Sequence, residues 1–241
     1  MARTALKLDE SSQETLRRFY DEVYHRDAGT VAQPSRHLCA LARRVGSLWE
    51  RKLLDVACGR GDWLMAAAAC GAVTAGLDLS PIALDACRQA LPSADLKQGS
   101  AEELPFADGQ FDVVSCLGAL EHFLDPLRAL REMKRVAKAD AKFLLLVPNA
   151  DFLPRRLGLY GGTEQTAARE EVLTLSQWRS LFESAGLEVE QRWRDLHVLS
   201  ADWIFRGALH AWLLRAAQAL ALPLWPLSWQ YQVYHLCRVR G

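Results

Sequence analysis

The chain is poor in several things, and each shortage excludes a class of protein. It has no surplus of either charge: Lys and Arg number 29, and so do Asp and Glu. A general nucleic-acid binder needs excess positive charge to displace counterions, so nucleic acid is not an expected partner. The six cysteines (39, 58, 70, 87, 116 and 237) form no Cys-x-x-Cys pair. They read as reduced core thiols of a cytoplasmic protein, not as a zinc site or a disulfide frame. No uninterrupted apolar run reaches the ~18 residues that would suggest a membrane span. Residues 1–30 are charged throughout and lack an apolar h-region, so no secretory signal is expected. Internal repeats and low-complexity tracts are absent too. What remains is a 241-residue chain, 50% hydrophobic and 24% charged, enough for one α/β domain with a sizeable core.

Two amphipathic helices are expected first. In residues 9–27, Leu16, Phe19, Tyr20, Val23 and Tyr24 recur at three- and four-residue spacing, and a second helix begins near Pro34 and runs to Val45. From Lys52 onward strands and helices alternate, the sign of a parallel sheet. Strands are read at 52–57, 72–78, 94–98, 111–117, 142–147, 187–193 and 231–239. Helices lie at 62–70, from Ser80-Pro81 to about 91, and at 125–137, 175–185 and 201–222. Residues 150–173 read as a long loop.

Leu53-Leu54-Asp55-Val56-Ala57-Cys58-Gly59-Arg60-Gly61-Asp62 is a strand that runs through a glycine turn into a helix. Such a turn offers outward-facing backbone N–H groups and close approach for a cofactor. Three further segments stand in register with it: Gly76-Leu-Asp78-Leu79-Ser80, Gly99-Ser100-Ala101-Glu102-Glu103-Leu104-Pro105-Phe106, and Phe111-Asp-Val-Val114. Together they resemble the class I S-adenosylmethionine-dependent methyltransferases, in particular the type 11 and quinone-ring O-methyltransferase-like group. The resemblance covers roughly residues 30–195. A nicotinamide Rossmann enzyme fits less well, because Leu64 stands where its fingerprint needs a third small residue.

The resemblance implies a Rossmann-like, mostly parallel, seven-stranded sheet in the order 3-2-1-4-5-7-6. Residues 1–50 would form a helical cap and 51–241 the methyltransferase domain, with acceptor-side insertions at 150–173 and 195–229. The implied cofactor is S-adenosyl-L-methionine. Asp78 would accept from its ribose hydroxyls, and Asp55 would reach its amino group or hold the turn. Ala57, Gly59 and Gly61 would let the backbone approach, and Leu79, Ser100, Ala101, Glu102 and Leu117 would surround the adenine and ribose. Ala57 replaces the family's first glycine, and Ser100 an acid. Gln33-Pro-Ser-Arg36 is similar to the N-P-x-R element of the quinone-ring enzymes, whose arginine pairs with the cofactor carboxylate; a solvated helix arginine is the alternative for Arg36.

After strand four, Leu120-Glu121-His122-Phe123-Leu124-Asp125-Pro126 is again similar to that group. His122 is a candidate general base, because an imidazole exchanges a proton near neutrality; the alternative is a histidine that caps the next helix or bonds a strand-end carbonyl. Glu121 stands beside it. Some quinone enzymes hold a divalent metal with E-x-x-E-H, but Gly118 replaces the first acid here, so no metal is expected. Tyr20 and Tyr24 share a helix face that would close over the sulfonium by cation–π attraction, or simply pack. Tyr160, Glu164 and His197 lie in the variable segments where an acceptor would be read.

The expected reaction is methyl transfer to a small-molecule acceptor, with oxygen the favoured atom of a phenol, quinone, lipid or sugar. Alternatives are an N- or C-methyltransferase of a small metabolite and a cofactor-binding scaffold without turnover. Residues 203–229 carry only Arg206 and Arg215 as formal charges amid Trp203, Phe205, Trp212, Trp225 and Trp229. They would form a core helix, line a hydrophobic acceptor pocket, or rest on a membrane as a peripheral contact.

Overall fold

The computed structural model describes residues 10–21, 33–158, 170–196, 205 and 209–241. The helices are α1 Glu10–Phe19, α2 Arg36–Val45, α3 Asp62–Ala69, α4 Pro81–Ala90, α5 Pro126–Val136, α6 Leu153–Arg156, α7 Leu175–Ser184 and α8 Leu209–Ala221. The strands are β1 Lys52–Val56, β2 Val73–Asp78, β3 Asp95–Gln98, β4 Phe111–Leu117, β5 Ala137–Pro148, β6 Leu187–Arg194 and β7 Gln232–Val239. They form a single sheet in the order β3-β2-β1-β4-β5-β7-β6. β7 runs antiparallel to both its neighbours, and the other pairings are parallel. This is the expected Rossmann-like sheet.

Strands buried on both faces read as continuous apolar runs, and successive side chains enter opposite layers. Leu54, Val114, Phe143 and Leu145 join Leu130 and Met133 of α5 and Trp178 and Phe182 of α7 in one core. Leu53, Val113, Leu144 and Leu146 face the other way, against Leu41 and Val45 of α2, Trp63 and Leu64 of α3, and Leu84 of α4. So α2 contributes to a packed layer over the sheet as well as covering its open end.

The helix starts follow local chemistry. Ser35, Ser80, Asp125 and Thr174 each accept a backbone N–H from the first turn of α2, α4, α5 and α7, and Pro81 and Pro126 supply the fixed φ that opens a helix. The last two motif segments, one in the loop after β3 and one at the start of β4, turn out to be braces. Asp112 accepts from Lys52 N (2.9 Å), Arg51 (3.1 Å) and Lys138 (2.8 Å), tying the starts of β1, β4 and β5 together. Arg135 of α5 donates to the carbonyls of Leu104 and Phe106, both 2.9 Å, and Phe106 meets Phe111 edge-on at 5.2 Å.

Four boundaries differ from the sequence reading. β5 begins at Ala137, not 142, because Ala137 pairs with Phe111 before a shift in register lets Lys142 pair with Val113. The loop expected at 150–173 opens with the short α6. Of the expected helix 9–27, α1 covers Glu10–Phe19, and 22–27 lie outside the described residues. Of the helix expected at 201–222, α8 is the described part; Pro223 and Pro226 then enforce two short 3-10 turns, Leu222–Leu224 and Leu227–Trp229. Among the described residues no helix is long and apolar enough to cross a membrane.

Candidate cofactor site and active centre

A cavity of about 320 Å³ opens at the carboxyl ends of β1, β2 and β4, where an open α/β sheet leaves its crevice. Its floor is the turn between β1 and α3. Ala57, Gly59 and Gly61 all have positive φ (62°, 52° and 85°). That alternation curls the backbone back on itself: Gly61 N–H donates to Cys58 O at 3.0 Å, and Cys58 N–H to Leu77 O at 3.0 Å. A Cβ on Gly61 would overlap the sulfur of Cys87. The brace beneath the turn is Asp78, which accepts from Gly59 N (2.8 Å) and Ser80 N (2.9 Å). The sequence reading offered Asp55 for that hold; the structure gives it to Asp78.

Asp55 is 3% exposed and takes a bond from Ser115 Oγ at 2.7 Å, and Ser115 receives the Trp63 indole N–H at 2.9 Å. Burial outweighs that bond and pushes the Asp55 carboxyl up to about 7. At the far side Ser100 donates to Glu102, whose other oxygen accepts from Leu124 N (3.0 Å) and Asp125 N (3.3 Å). Glu102 therefore stitches the loop after β3 to the loop after β4.

Leu16 and Tyr20 of the α1 segment and Leu38 of α2 close over the opening. Asp21 anchors that segment by accepting from Ser80 Oγ at 2.5 Å. The Tyr20 ring stands edge-on to His122, with centroids 6.4 Å apart. His122 is buried on a 3-10 turn, Leu120–His122, and lines the cavity. The next helix is capped by Asp125, so His122 is not its cap. Glu121 points elsewhere: it is 4% exposed, its Oε2 has no hydrogen-bond partner, and burial pushes its carboxyl up to about 7.

Of the residues singled out from sequence, the cavity wall includes Tyr20, Asp55, Ala57, Gly59, Asp78, Leu79, Ser100, Ala101, Glu102, Leu117 and His122. Gly61 shapes the turn from behind, Glu121 stands outside the wall, and Arg36 is exposed at the first position of α2. Tyr24, Tyr160, Glu164 and His197 lie outside the described residues. Sequence reasoning passed over Cys58, Arg60, Asp62 and Trp63, which line the same wall; their signal was only their place within the turn. Among the described residues, no group of three or more His, Cys, Asp or Glu gathers as metal ligands would.

Residues 54–145 match the family described as "Methyltransferase domain". The uncharacterized methyltransferase YcgJ of Bacillus subtilis is 31% identical over 173 residues, 67% of either chain. The chain belongs to the class I S-adenosylmethionine-dependent methyltransferases. Demethylmenaquinone methyltransferase of Chlorobaculum parvum is 38% identical over 100 residues; the match spans 41% of this chain and 42% of that relative. Against such quinone enzymes the chain aligns over less than half their length. The fold matches a methyltransferase solved in complex with the Trm112 methyltransferase activator of Haloferax volcanii, at TM-score 0.70 and 21% identity, over 93% of this chain and 97% of that one.

The donor set of this methyltransferase suits the family's cofactor. S-adenosylmethionine carries two cationic centres and a vicinal diol. The cavity presents two buried carboxylates, Asp55 and Asp78, on either side of a turn with a closely approachable backbone. An orphan negative charge at Asp55 is costly without a cation.

Proposed function

We propose that the chain methylates an oxygen of a small acceptor of phenol, quinone, lipid or sugar type. The observation that carries the reading is His122: buried, on the cavity wall, facing Tyr20, and relieved of capping by Asp125. When bound, S-adenosylmethionine supplies a methyl group made electrophilic by its sulfonium.

In this reading Asp55 faces the cofactor's ammonium group. Arg60, in the turn, takes its carboxylate, the part first given to Arg36. Asp78 keeps its backbone bonds and accepts from the ribose, since a carboxylate has about four acceptor positions. Ala101 and Leu117 flank the adenine. His122 would take up the proton that the acceptor hydroxyl gives up when its oxygen is methylated. Tyr20 presents its ring over the cationic centre. The segment bearing Leu16 and Tyr20 shuts water out and fixes the line of attack, the largest contribution to such a displacement.

The test is S-adenosylhomocysteine release on panels of phenols, quinones, lipids and sugars, with calorimetry for the cofactor. His122→Asn is expected to lower kcat by about 10²–10⁴-fold, the range for a lost general base, with cofactor affinity unchanged. Turnover of His122→Asn at the wild-type rate on an oxygen acceptor would overturn the base assignment. Cofactor binding without turnover on every fraction of a cell extract would favour a scaffold, and methylation confined to amines or carbons would move the acceptor atom.

A further inference from the structure

The turn that floors the cavity carries a thiol, and a second thiol stands behind it. Cys58 lies in the cavity wall between Ala57 and Gly59, both at positive φ. Cys87 lies on α4 and is fully buried. The side chains of Cys58 and Cys87 are hydrogen-bonded to each other. Glycine makes that meeting possible. A Cβ on Gly61 would fall 2.4 Å from Cys87 Sγ, and one on Gly76 would fall 2.7 Å from Cys58 Sγ. Each sulfur thus rests against a glycine of the cofactor cradle, one in the turn and one on β2.

Neither sulfur takes part in the methyl transfer proposed for the site, yet together they are a dithiol. The hydrogen bond from Cys58 outweighs burial and the charges of Asp55 and Asp78, and holds the Cys87 thiol below its ordinary value. Once Cys87 has released its proton, the Cys58 proton can cross the hydrogen bond. The charge then stands on the sulfur in the cavity wall, where hydrogen peroxide entering the cavity meets it first. The Cys58 thiolate attacks one peroxide oxygen: an S–O bond forms, the O–O bond breaks, and the departing hydroxide takes up a proton as water. The Cys87 sulfur then attacks the Cys58 sulfur. An S–S bond forms, the S–O bond breaks, and the second hydroxide leaves with the Cys87 proton as water. Two thiols and one peroxide give one disulfide and two waters, with sulfur oxidised and peroxide oxygen reduced.

The new bond would draw the sulfurs from hydrogen-bond contact to about 2 Å, and the turn has to follow. Cys58 N–H is held by Leu77 O, and Cys58 O by Gly61 N–H, both at 3.0 Å. Gly59 N–H, next in the turn, bonds Asp78 at 2.8 Å. A pull on the Cys58 side chain therefore passes into the backbone that the cofactor approaches and into its brace.

We infer that Cys58 and Cys87 form a peroxide-sensitive dithiol whose oxidation to a disulfide disables the cofactor site, and which bound cofactor shields. The inference goes beyond the methyl-transfer reading and holds whichever acceptor is used. In the experiment the full chain is treated with hydrogen peroxide, denatured in N-ethylmaleimide to block free thiols, and digested with trypsin. Mass spectrometry is expected to find residues 53–60 linked to residues 61–88, with fragmentation placing the bond at Cys87 and not Cys70. Calorimetry with S-adenosylhomocysteine should show the oxidised chain weaker by about tenfold or more, with dithiothreitol restoring affinity. The same ligand, saturating during the peroxide step, should suppress the link. Cys87→Ser has no partner to offer Cys58 and should keep its affinity through the treatment; Cys87→Ala gives the same readout if the serine variant does not fold. No link between Cys58 and Cys87, or a link that leaves affinity unchanged, would overturn the proposal. So would an equal loss of affinity in the Cys87 variants, which would assign the damage to other oxidised side chains. Mapping the link needs no ligand, so it decides the dithiol even where the cofactor reading fails.

Discussion

Asp55 is the residue at which stability and binding pull in opposite directions. Its folded pKa of about 7 lies above the usual carboxylate range because burial outweighs the Ser115 bond. At neutral pH the protein thus holds a charge that it would rather shed. A cationic ligand beside Asp55 favours the ionised form and lowers that pKa, so binding below pH 7 must first expel a proton. Affinity for S-adenosylmethionine is therefore expected to be full above pH 8 and to fall below pH 7 by up to about tenfold per unit. Calorimetry across pH 6 to 8 reads the slope directly. Asp55→Asn should bind more weakly and show no such slope, yet unfold at higher denaturant than the wild type, the exchange expected where a site stores an unfavourable charge. A slope unchanged in Asp55→Asn would remove this residue from the ammonium contact.

Between elements, the contact that decides the site's shape is α3 on β2. In the nicotinamide fingerprint a third small residue on the helix allows that approach; here the helix brings Leu64, and the space comes from the strand. A Cβ on Gly76 would lie 2.7 Å from Cys58 Sγ and 2.9 Å from Leu64 Cδ1 and Leu96 Cδ2. Gly76→Ala should therefore cost about 1–3 kcal/mol in chemical denaturation, the usual range for overpacking. It should also weaken cofactor binding, because Cys58 sits in the turn; an unaffected denaturation midpoint would mean that α3 is free to shift. This scale also shows what the sequence made legible. The strands could be read because apolar runs stop at Gly or Pro, and Asp55 and Asp78 because they stand at strand ends. The strand order came from the resemblance, since periodicity carries no information on neighbours. The early start of β5 was unreadable because Lys138-Ala139-Asp140-Ala141-Lys142 offers only alanines between charges, a weak strand signal; Ala137 before it pairs with Phe111, and Lys142 at its end with Val113. For Arg36 the sequence left two readings, because a helix start fixes the backbone and not the direction of its first side chain; it stands exposed at the start of α2, and Leu38, two residues on, lines the cavity. Arg60 and Trp63 stayed hidden because the turn's variable positions look alike until the backbone aims them.

At the scale of the whole molecule, three buried groups set opposing responses to acid. Asp55 and Glu121 each have a folded pKa of about 7, raised first by burial. Their contribution is fully present below the unfolded carboxylate value of about 4 and lost as pH rises through 7. His235 lies on β7, fully buried with Nε2 unpartnered, and burial lowers its pKa to about 4. Its contribution is present above the unfolded histidine value of about 6.5 and lost as pH falls toward 4. Between about pH 5 and 6.5 the folded state therefore holds two carboxyl protons that the unfolded chain has released, and lacks one imidazole proton that the unfolded chain has gained. The balance is one proton in favour of the folded state, so stability should rise on mild acidification by about 1.4 kcal/mol per pH unit. Below that window Arg135 holds Glu132 under its ordinary range, and protonating it reverses the trend. Urea midpoints of the cofactor-free protein at pH 5.5 and 6.5 test the sum, and two variants test its parts. Asp55→Asn removes one carboxyl, leaving Glu121 and His235 to cancel, so its midpoint should stay level across the window. His235→Gln leaves both carboxyls unopposed and should roughly double the slope. A wild-type midpoint that falls on acidification while His235→Gln remains level would show that the histidine outweighs the two acids, and that neither carboxyl is held neutral by the core.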